Sequence, residues 1–274
     1  MRFRVQTSVM KVRLVEVLGA ILAALVAPGL NPGHAQASGP QPFAAAETLT
    51  YEVDWSVFTA GKIVARLAGT DQDGPSEIIT SARSQGVASL LYKVQDEYHS
   101  FFNPQTLCSR RISKKVSEGS RHREMEIAFN SEQGVAVVDE RDLNAPNAPP
   151  KHIEHTLPPC AEDMVTAFYF MRRQPLHVGQ EIRLAVNDGG ETQAVVVEVQ
   201  AEDQLQTALG SRRAIRVEPK IFGSLYKRKG RLLVWFSDDE QHLPLRLRLT
   251  VSVGTITANL KSVSSAPMMQ APVH

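Results

Sequence analysis

Ser237, Asp238, Asp239 and Glu240 place three carboxylates in succession between Trp235-Phe236 and a run of alternating leucines. Three acids offer oxygen ligands to Ca²⁺, but a calcium loop spreads its ligands over about 12 residues around a bend-making Gly. That spacing is missing. The cluster reads instead as the turn of a hairpin, where short polar side chains bond their own backbone. His152 and His155 stand three apart around Glu154, whereas a zinc-protease helix needs two histidines four apart. In a Pro-rich stretch they read as an exposed loop. "EGSRH", "LGSRR" and "FGSLY" lack the second Gly of a nucleophile elbow, and no helix follows Gly189-Gly190 to cradle a phosphate. The acid pairs Asp96-Glu97 and Glu52/Asp54 would serve glycosidase chemistry only if carboxyls converged across a cleft. By spacing alone they read as strand surface. No catalytic residue, metal ligand or cofactor site is expected.

Two other sets carry chemistry. Arg110, Arg111, Lys114, Lys115, Arg121 and Arg123 gather on one hairpin, and Lys227, Arg228, Lys229 and Arg231 on another segment. They read as a solvated edge that charge protects from aggregation, or as local polarity able to meet anionic lipid head groups or acidic glycans. Cys108 and Cys160 are the only cysteines. They form neither a Cys-x-x-Cys redox motif nor a zinc knuckle. Their pairing depends on the compartment.

The N-terminus gives that compartment. Arg2, Arg4, Lys11 and Arg13 precede the apolar stretch Val17 to Val26, and Ala35 and Ala37 supply the small residues a signal peptidase reads. The stretch is shorter than the roughly 20 apolar residues of a membrane span, so residues 1–37 are expected to be a cleaved signal peptide. The mature protein then has no transmembrane anchor and is periplasmic or secreted. The leader carries four bases and Glu16, so its removal takes the net charge from +1 to about −2. Bulk attraction to nucleic acid is therefore not supported. Behind an export leader, an even cysteine pair reads as a disulfide between Cys108 and Cys160. Cys108 reads as the start of an inward set continued by Ile112 and Val116.

The elements that must carry these residues alternate with period two. Leu49, Tyr51, Val53, Trp55 and Val57 share one parity, and Thr50, Glu52, Asp54 and Ser56 the other, the pattern of a half-buried strand. "TAGK" reads as a turn with Gly61 at positive φ, after which Ile63, Ala65 and Leu67 resume. Met125, Ile127 and Phe129 alternate after a turn at "SEGS". "EIRLAV" and "TQAVVVEV" flank the hairpin signal Asp188-Gly189. "ALGSRRAIRVEP" reads as a further strand. "GRLLVWF" and the leucines from Leu243 to Leu249 bracket the acidic turn. One segment breaks the rule: "AEDMVTAFYFMRRQPL" has Asp163 at an N-cap position, apolar residues around it and Arg172-Arg173 before Pro175, a buried helix. A single β-rich domain is expected over 44–263, with a disordered tail at 264–274.

"VWFSDDEQHLPLRLRLTVSVGTITANL" resembles the C-terminal signature of a family of exported bacterial proteins, domain of unknown function 3108. The carrying residues are Trp235, Ser237 to Asp239, Leu243-Pro244 and Gly254 to Ala258. "LTYEVDWSVFTAGKIVARL" is similar to the family's opening, and Thr166-Ala167 departs from its usual Ser-Ala. The resemblance implies an address and an architecture but no activity. The expected fold is all-β: a curved antiparallel sheet or incomplete barrel with one apolar helix packed in its concave side, resembling the periplasmic lipoprotein carriers. The leading expectation is a non-enzymatic envelope protein that binds a lipid-like or amphipathic ligand in a cavity lined by Trp55, Tyr98, Phe168 and Trp235. A hydrolase of envelope glycans or esters, and a scaffold or assembly factor that meets envelope proteins, are the alternatives.

Overall fold

The alternating segments become strands of one antiparallel sheet in the computed structural model, which describes residues 46–68, 76–220, 230–251 and 254–265. The expected leader and residues 266–274 lie outside the described residues, as do Lys227, Arg228 and Lys229. The first half of the chain forms β1 (Glu47–Trp55), β2 (Phe58–Ala68), β3 (Ser76–Ser84), β4 (Gln95–Phe102), β5 (Ser109–Glu118), β6 (Arg121–Asn130), β7 (Val135–Asp142) and β8 (Lys151–Thr156). The second half forms β9 (Glu181–Val186), β10 (Gln193–Thr207), β11 (Gly210–Lys220), β12 (Arg231–Ser237), β13 (Pro244–Val251) and β14 (Gly254–Ser265). Among the described residues, two helices, α1 (Gly86–Leu91) and α2 (Met164–Arg172), interrupt the strands.

The sheet has 14 strands in the order β8 to β1, then β14 to β9. Each half is a meander, and β1 joins them by pairing with both β2 and β14. The sheet is not closed: β8 and β9 are its two edges. The chain between them spans the gap. Ser109 N–H donates to the Ala161 carbonyl at 2.9 Å, and Glu162 N–H to the Ala185 carbonyl at 2.8 Å. Residues 161–162 thus bond to β5 on one side and to β9 on the other.

Two cores result. The larger gathers inward residues of β2 to β7, α2 and β9 to β12, among them Ile78, Phe102, Ile112, Ile127, Phe170 and Leu184. Each such burial stabilises by about 1.5–3 kcal/mol. The smaller gathers Leu49, Tyr51, Val53, Leu205, Trp235, Leu245, Ile256 and Leu260. β12 serves both: Val234 and Phe236 point into the first core and Trp235 into the second.

The helix at 164–172 forms as the sequence implies. Asp163 is extended and accepts from the Val165 and Thr166 N–H groups at 2.8 and 3.0 Å, a cap whose loss typically costs about 0.5–2 kcal/mol. Arg172 in the last turn suits the negative end of the helix dipole. The helix packs against β3, β4 and β9 at the end of the sheet where β1 begins and the acidic turn lies.

Some readings of the pattern need correction. The first hairpin turns at Ser56-Val57, with Ser56 taking the positive φ, and Gly61 sits inside β2. Gly61 is required by close approach: a Cβ there would lie 2.4 Å from the Arg83 carbonyl oxygen. Val57 leaves the buried parity and is exposed. Cys108 is not in the inward set; Ser109 takes that place, because a bulge opposite Phe101-Phe102 shifts the register before Ile112. "KHIEHT" is the edge strand β8 and not a loop, since its backbone completes the ladder on β7. The β9–β10 hairpin carries a six-residue connection, 187–192, in place of a tight Asp-Gly turn.

Candidate functional site

The acidic turn is structural. Asp239 accepts from the Ser237 hydroxyl at 2.7 Å and the Gln241 N–H at 3.1 Å, while Asp238 pairs with Arg213. Ser237 N–H meets the Leu243 carbonyl at 2.8 Å, closing the hairpin. His152 and His155 lie on β8 at the surface, and His152 bonds Asp139 at 2.7 Å, which raises its pKa. Among the described residues no group of histidines, cysteines and acids is arranged to hold a metal. Cys108 and Cys160 are joined in a disulfide.

The basic hairpin splits across two faces. Lys114 and Arg123 point inward, where Lys114 pairs with Asp188 and Arg123 with Glu140 at 3.1 Å. Arg111 and Lys115 face outward beside Glu126 and Glu124. Arg231 is held by Glu218 at 2.7 Å. The four expected aromatics do not line a common wall. Tyr98 and Phe168 belong with the larger core and Trp235 with the smaller. The Trp235 indole N–H donates to Asp203 at 2.7 Å. Trp55 bridges the smaller core to a third cluster of Tyr92 and Val94.

The interior polar groups are largely satisfied by one another. Asp163 receives the hydroxyls of Ser100, Ser109 and Thr166 on one carboxylate oxygen, the latter two at 2.7 Å. Asp188 comes in on the β9–β10 connection to meet Lys114, and burial still raises its pKa despite that partner. Buried charges persist only when paired in this way. Sequence spacing gave no sign of these pairs, because every partner except Thr166 lies more than fifty residues away.

One carboxyl pair is different. Asp96 and Glu118, each 2 % exposed, stand close together where β4 begins and β5 ends. Asp96 accepts the Ser117 N–H at 2.9 Å and the Tyr98 hydroxyl at 3.3 Å, bonds that oppose the rise burial imposes on its pKa. Burial first, then the Asp96 charge, pushes Glu118 from 4.5 up to about 7. Inverting and retaining glycosidases hold their carboxyls at least about 5 Å apart with substrate between them. A pair buried this deeply leaves no such space.

Above this pair lies an apolar rim. The β1–β2 turn presents Val57 and Phe58, 86 % and 71 % exposed, and α1 presents Val87, Leu90 and Leu91 at 71 %, 85 % and 43 %. The Gln85 N–H bond to the Ala60 carbonyl, 2.8 Å, holds α1 beside β2. These five are most of the eight large hydrophobic residues exposed among the described residues, and they fall on two neighbouring elements, unlike apolar residues scattered singly over a surface. Trp55 and Tyr92 underlie it, Tyr92 as the residue that ends α1. The Trp55 indole N–H and the Tyr92 hydroxyl are buried without an acceptor among the described residues.

The model of the family described as protein of unknown function (DUF3108) matches residues 50–261. The chain belongs to this family. No curated protein matches it. Among solved structures, this DUF3108 chain is similar to a β-barrel-like protein of domain of unknown function DUF1849 from Brucella abortus. Identity is 8 %, the TM-score 0.53, and the match covers 81 % of this chain and 98 % of the other. It supports the barrel-like fold alone. A YmcC-like-fold protein from Bacteroides fragilis, provisionally described as exported, matches at 10 % identity and a TM-score of 0.31, covering 81 % and 96 %. A protein from Parabacteroides distasonis, provisionally described as a lipoprotein, matches at 10 % and 0.31, covering 82 % and 97 %.

In this DUF3108 chain the rim had a sequence signal. "SVFT" puts two large apolar residues at a hairpin tip, where turn chemistry favours Gly, Asn and Asp. "GVASLL" adds more in a connection. Among the described residues, no helix is long and apolar enough to cross a membrane.

Proposed function

We propose that this DUF3108 protein is a non-enzymatic cell-envelope protein, exported by its N-terminal leader, that binds a lipid-like amphipathic ligand at the apolar rim. The rim carries the reading: Val57 and Phe58 on the hairpin tip and Val87, Leu90 and Leu91 on the adjoining α1 leave large apolar side chains in water. Apolar patches of that kind mark interaction sites in soluble proteins. Trp55, the one expected aromatic that reaches the rim, serves as the ring against which an acyl chain packs. Tyr98, Phe168 and Trp235 fill cores in this reading. The Cys108–Cys160 bond fits an oxidising compartment, periplasmic or extracellular.

The deeply buried charges, Arg172–Glu47 above all, favour this reading over a hydrolase, because they are spent on one another. Native mass spectrometry of protein purified from the envelope tests it. A ladder of adducts with lipid masses is the expected result. Protein that is consistently bare, and that gains no mass on addition of lysophosphatidylcholine, contradicts it.

A further inference from the structure

The rim is apolar at its centre and basic at its margin. Arg83 leads into α1, Lys93 follows it, and Arg121 stands on the β5–β6 turn, all three exposed. The Gly119 N–H bond to the Lys93 carbonyl, 2.8 Å, seats that turn against the end of α1. Arg121 is close enough to influence Glu118 and Tyr92. Lys62 and Arg83 are exposed and directly opposite in the β2–β3 register, while on its other side Lys62 faces Glu52 in β1. Like charges set opposite one another repel. Elsewhere on the sheet, exposed bases are set beside acids: Lys115 by Glu124, Arg111 by Glu126, Arg183 by Glu181 and Lys261 by Glu52. Asp96 and Glu118, below the end of α1, are buried, and Glu52, which faces Lys62 across β1–β2, is itself held by Lys261. The rim thus offers side chains for an acyl layer and, around them, cations for anionic head groups.

We infer that this end of the protein docks on an anionic phospholipid bilayer, with Phe58 and Leu90 entering the head-group and acyl boundary and Lys62, Arg83, Lys93 and Arg121 meeting the phosphates. The inference rests on the rim being the ligand surface and adds the partner from which ligand is exchanged. Apolar insertion and electrostatic attraction to anionic lipid act together in such interfacial binding. A second exposed apolar residue set is not needed, because a six-residue helix and a hairpin tip reach only the interfacial layer.

The test is co-sedimentation of the full mature protein with vesicles of phosphatidylglycerol and phosphatidylcholine, compared with phosphatidylcholine alone, at about 0.1 M salt. The wild type should sediment with the anionic vesicles and be released as salt rises. Phe58→Asp with Leu90→Asp should weaken that binding by roughly tenfold or more. Lys93→Glu with Arg121→Glu should remove the preference for phosphatidylglycerol. Val178→Asp, at an exposed apolar residue of the α2–β9 connection, should change nothing, and circular dichroism should show all variants folded. Wild-type protein that takes up lysophosphatidylcholine monomers but sediments with neither vesicle overturns the bilayer inference and leaves the ligand reading standing. Equal losses from Val178→Asp, or no loss from the rim variants, overturn the placement of the contact.

Discussion

Arg172 and Glu47 lie 125 positions apart in sequence and form a bidentate ion pair, with N–O distances of 2.6 and 3.0 Å. Arg172 is on the last turn of α2 and Glu47 opens β1, so the pair fixes the plugging helix to the strand that joins both halves of the sheet. The guanidinium also lies 5.2 Å from the Tyr169 ring centre and donates from Nε to the Gln241 carbonyl at 3.1 Å. Its side chain is wholly buried. Glu47→Ala should therefore destabilise by about 3–5 kcal/mol, the usual cost of breaking a buried pair. Arg172→Met with Glu47→Leu should cost less than the single change. Urea midpoints of the two variants check this, and the reverse order would refute it.

The disulfide closes a loop between residues separated by 52 positions, worth about 3–4 kcal/mol in the chain-entropy model. Cys160 lies three residues before the α2 cap, so reduction also frees the segment that spans the sheet's edges. Thiol labelling of denatured, unreduced protein should find no free thiol. Reduction should lower the melting temperature, by roughly 2–4 °C per kcal/mol lost. Two labelled thiols per chain would refute the bond.

Glu118 is raised from 4.5 to about 7 in the folded chain. The folded state thus binds the proton more tightly than the unfolded state does. This contribution to stability is complete below about pH 4.5 and is lost as pH rises through 7. Asp96, Arg121, Arg123 and Tyr98 face or flank the group and remain in place in Glu118→Gln. That variant should match the wild type near pH 4.5 and melt several degrees higher at pH 8. Melting curves against pH decide it, and two parallel profiles would show that the pair carries no such linkage.

Gly61→Ala would force its Cβ to within 2.4 Å of the Arg83 carbonyl oxygen. That contact is with backbone in a paired strand, so relief requires β2 and β3 to part. A loss of about 1–3 kcal/mol follows, and loosening should extend to α1, which begins three residues after Arg83. Hydrogen exchange at Ala60, Gln85 and Tyr92 would report it.

The strands were legible where one face is apolar and the other polar, as in β1 and β6, and α2 was legible because Asp163 and Arg172 mark its ends. The disulfide followed from the expected compartment. β8 was missed because an exposed edge strand needs no apolar parity. Gly61 was misassigned because sequence cannot tell a glycine needed for positive φ from one needed for close approach. The Asp96–Glu118, Lys114–Asp188 and Arg172–Glu47 pairs were invisible, since the register that joins them is a property of the whole sheet. The rim was written in "SVFT" and "GVASLL", as apolar residues in connections, and only the fold places the two side by side.

Trp55 and Trp235 are the only tryptophans, and Trp235 is buried in the second core and bonded to Asp203. In a Trp235→Phe background, Trp55 therefore reports on the rim alone. Titration with monomeric lysophosphatidylcholine should give a saturable blue shift of its emission, and Phe58→Ser with Leu90→Ser should weaken the apparent affinity by roughly tenfold, about 1.4 kcal/mol. An emission spectrum that does not move, or one that moves equally in the rim variant, would contradict ligand binding at this site.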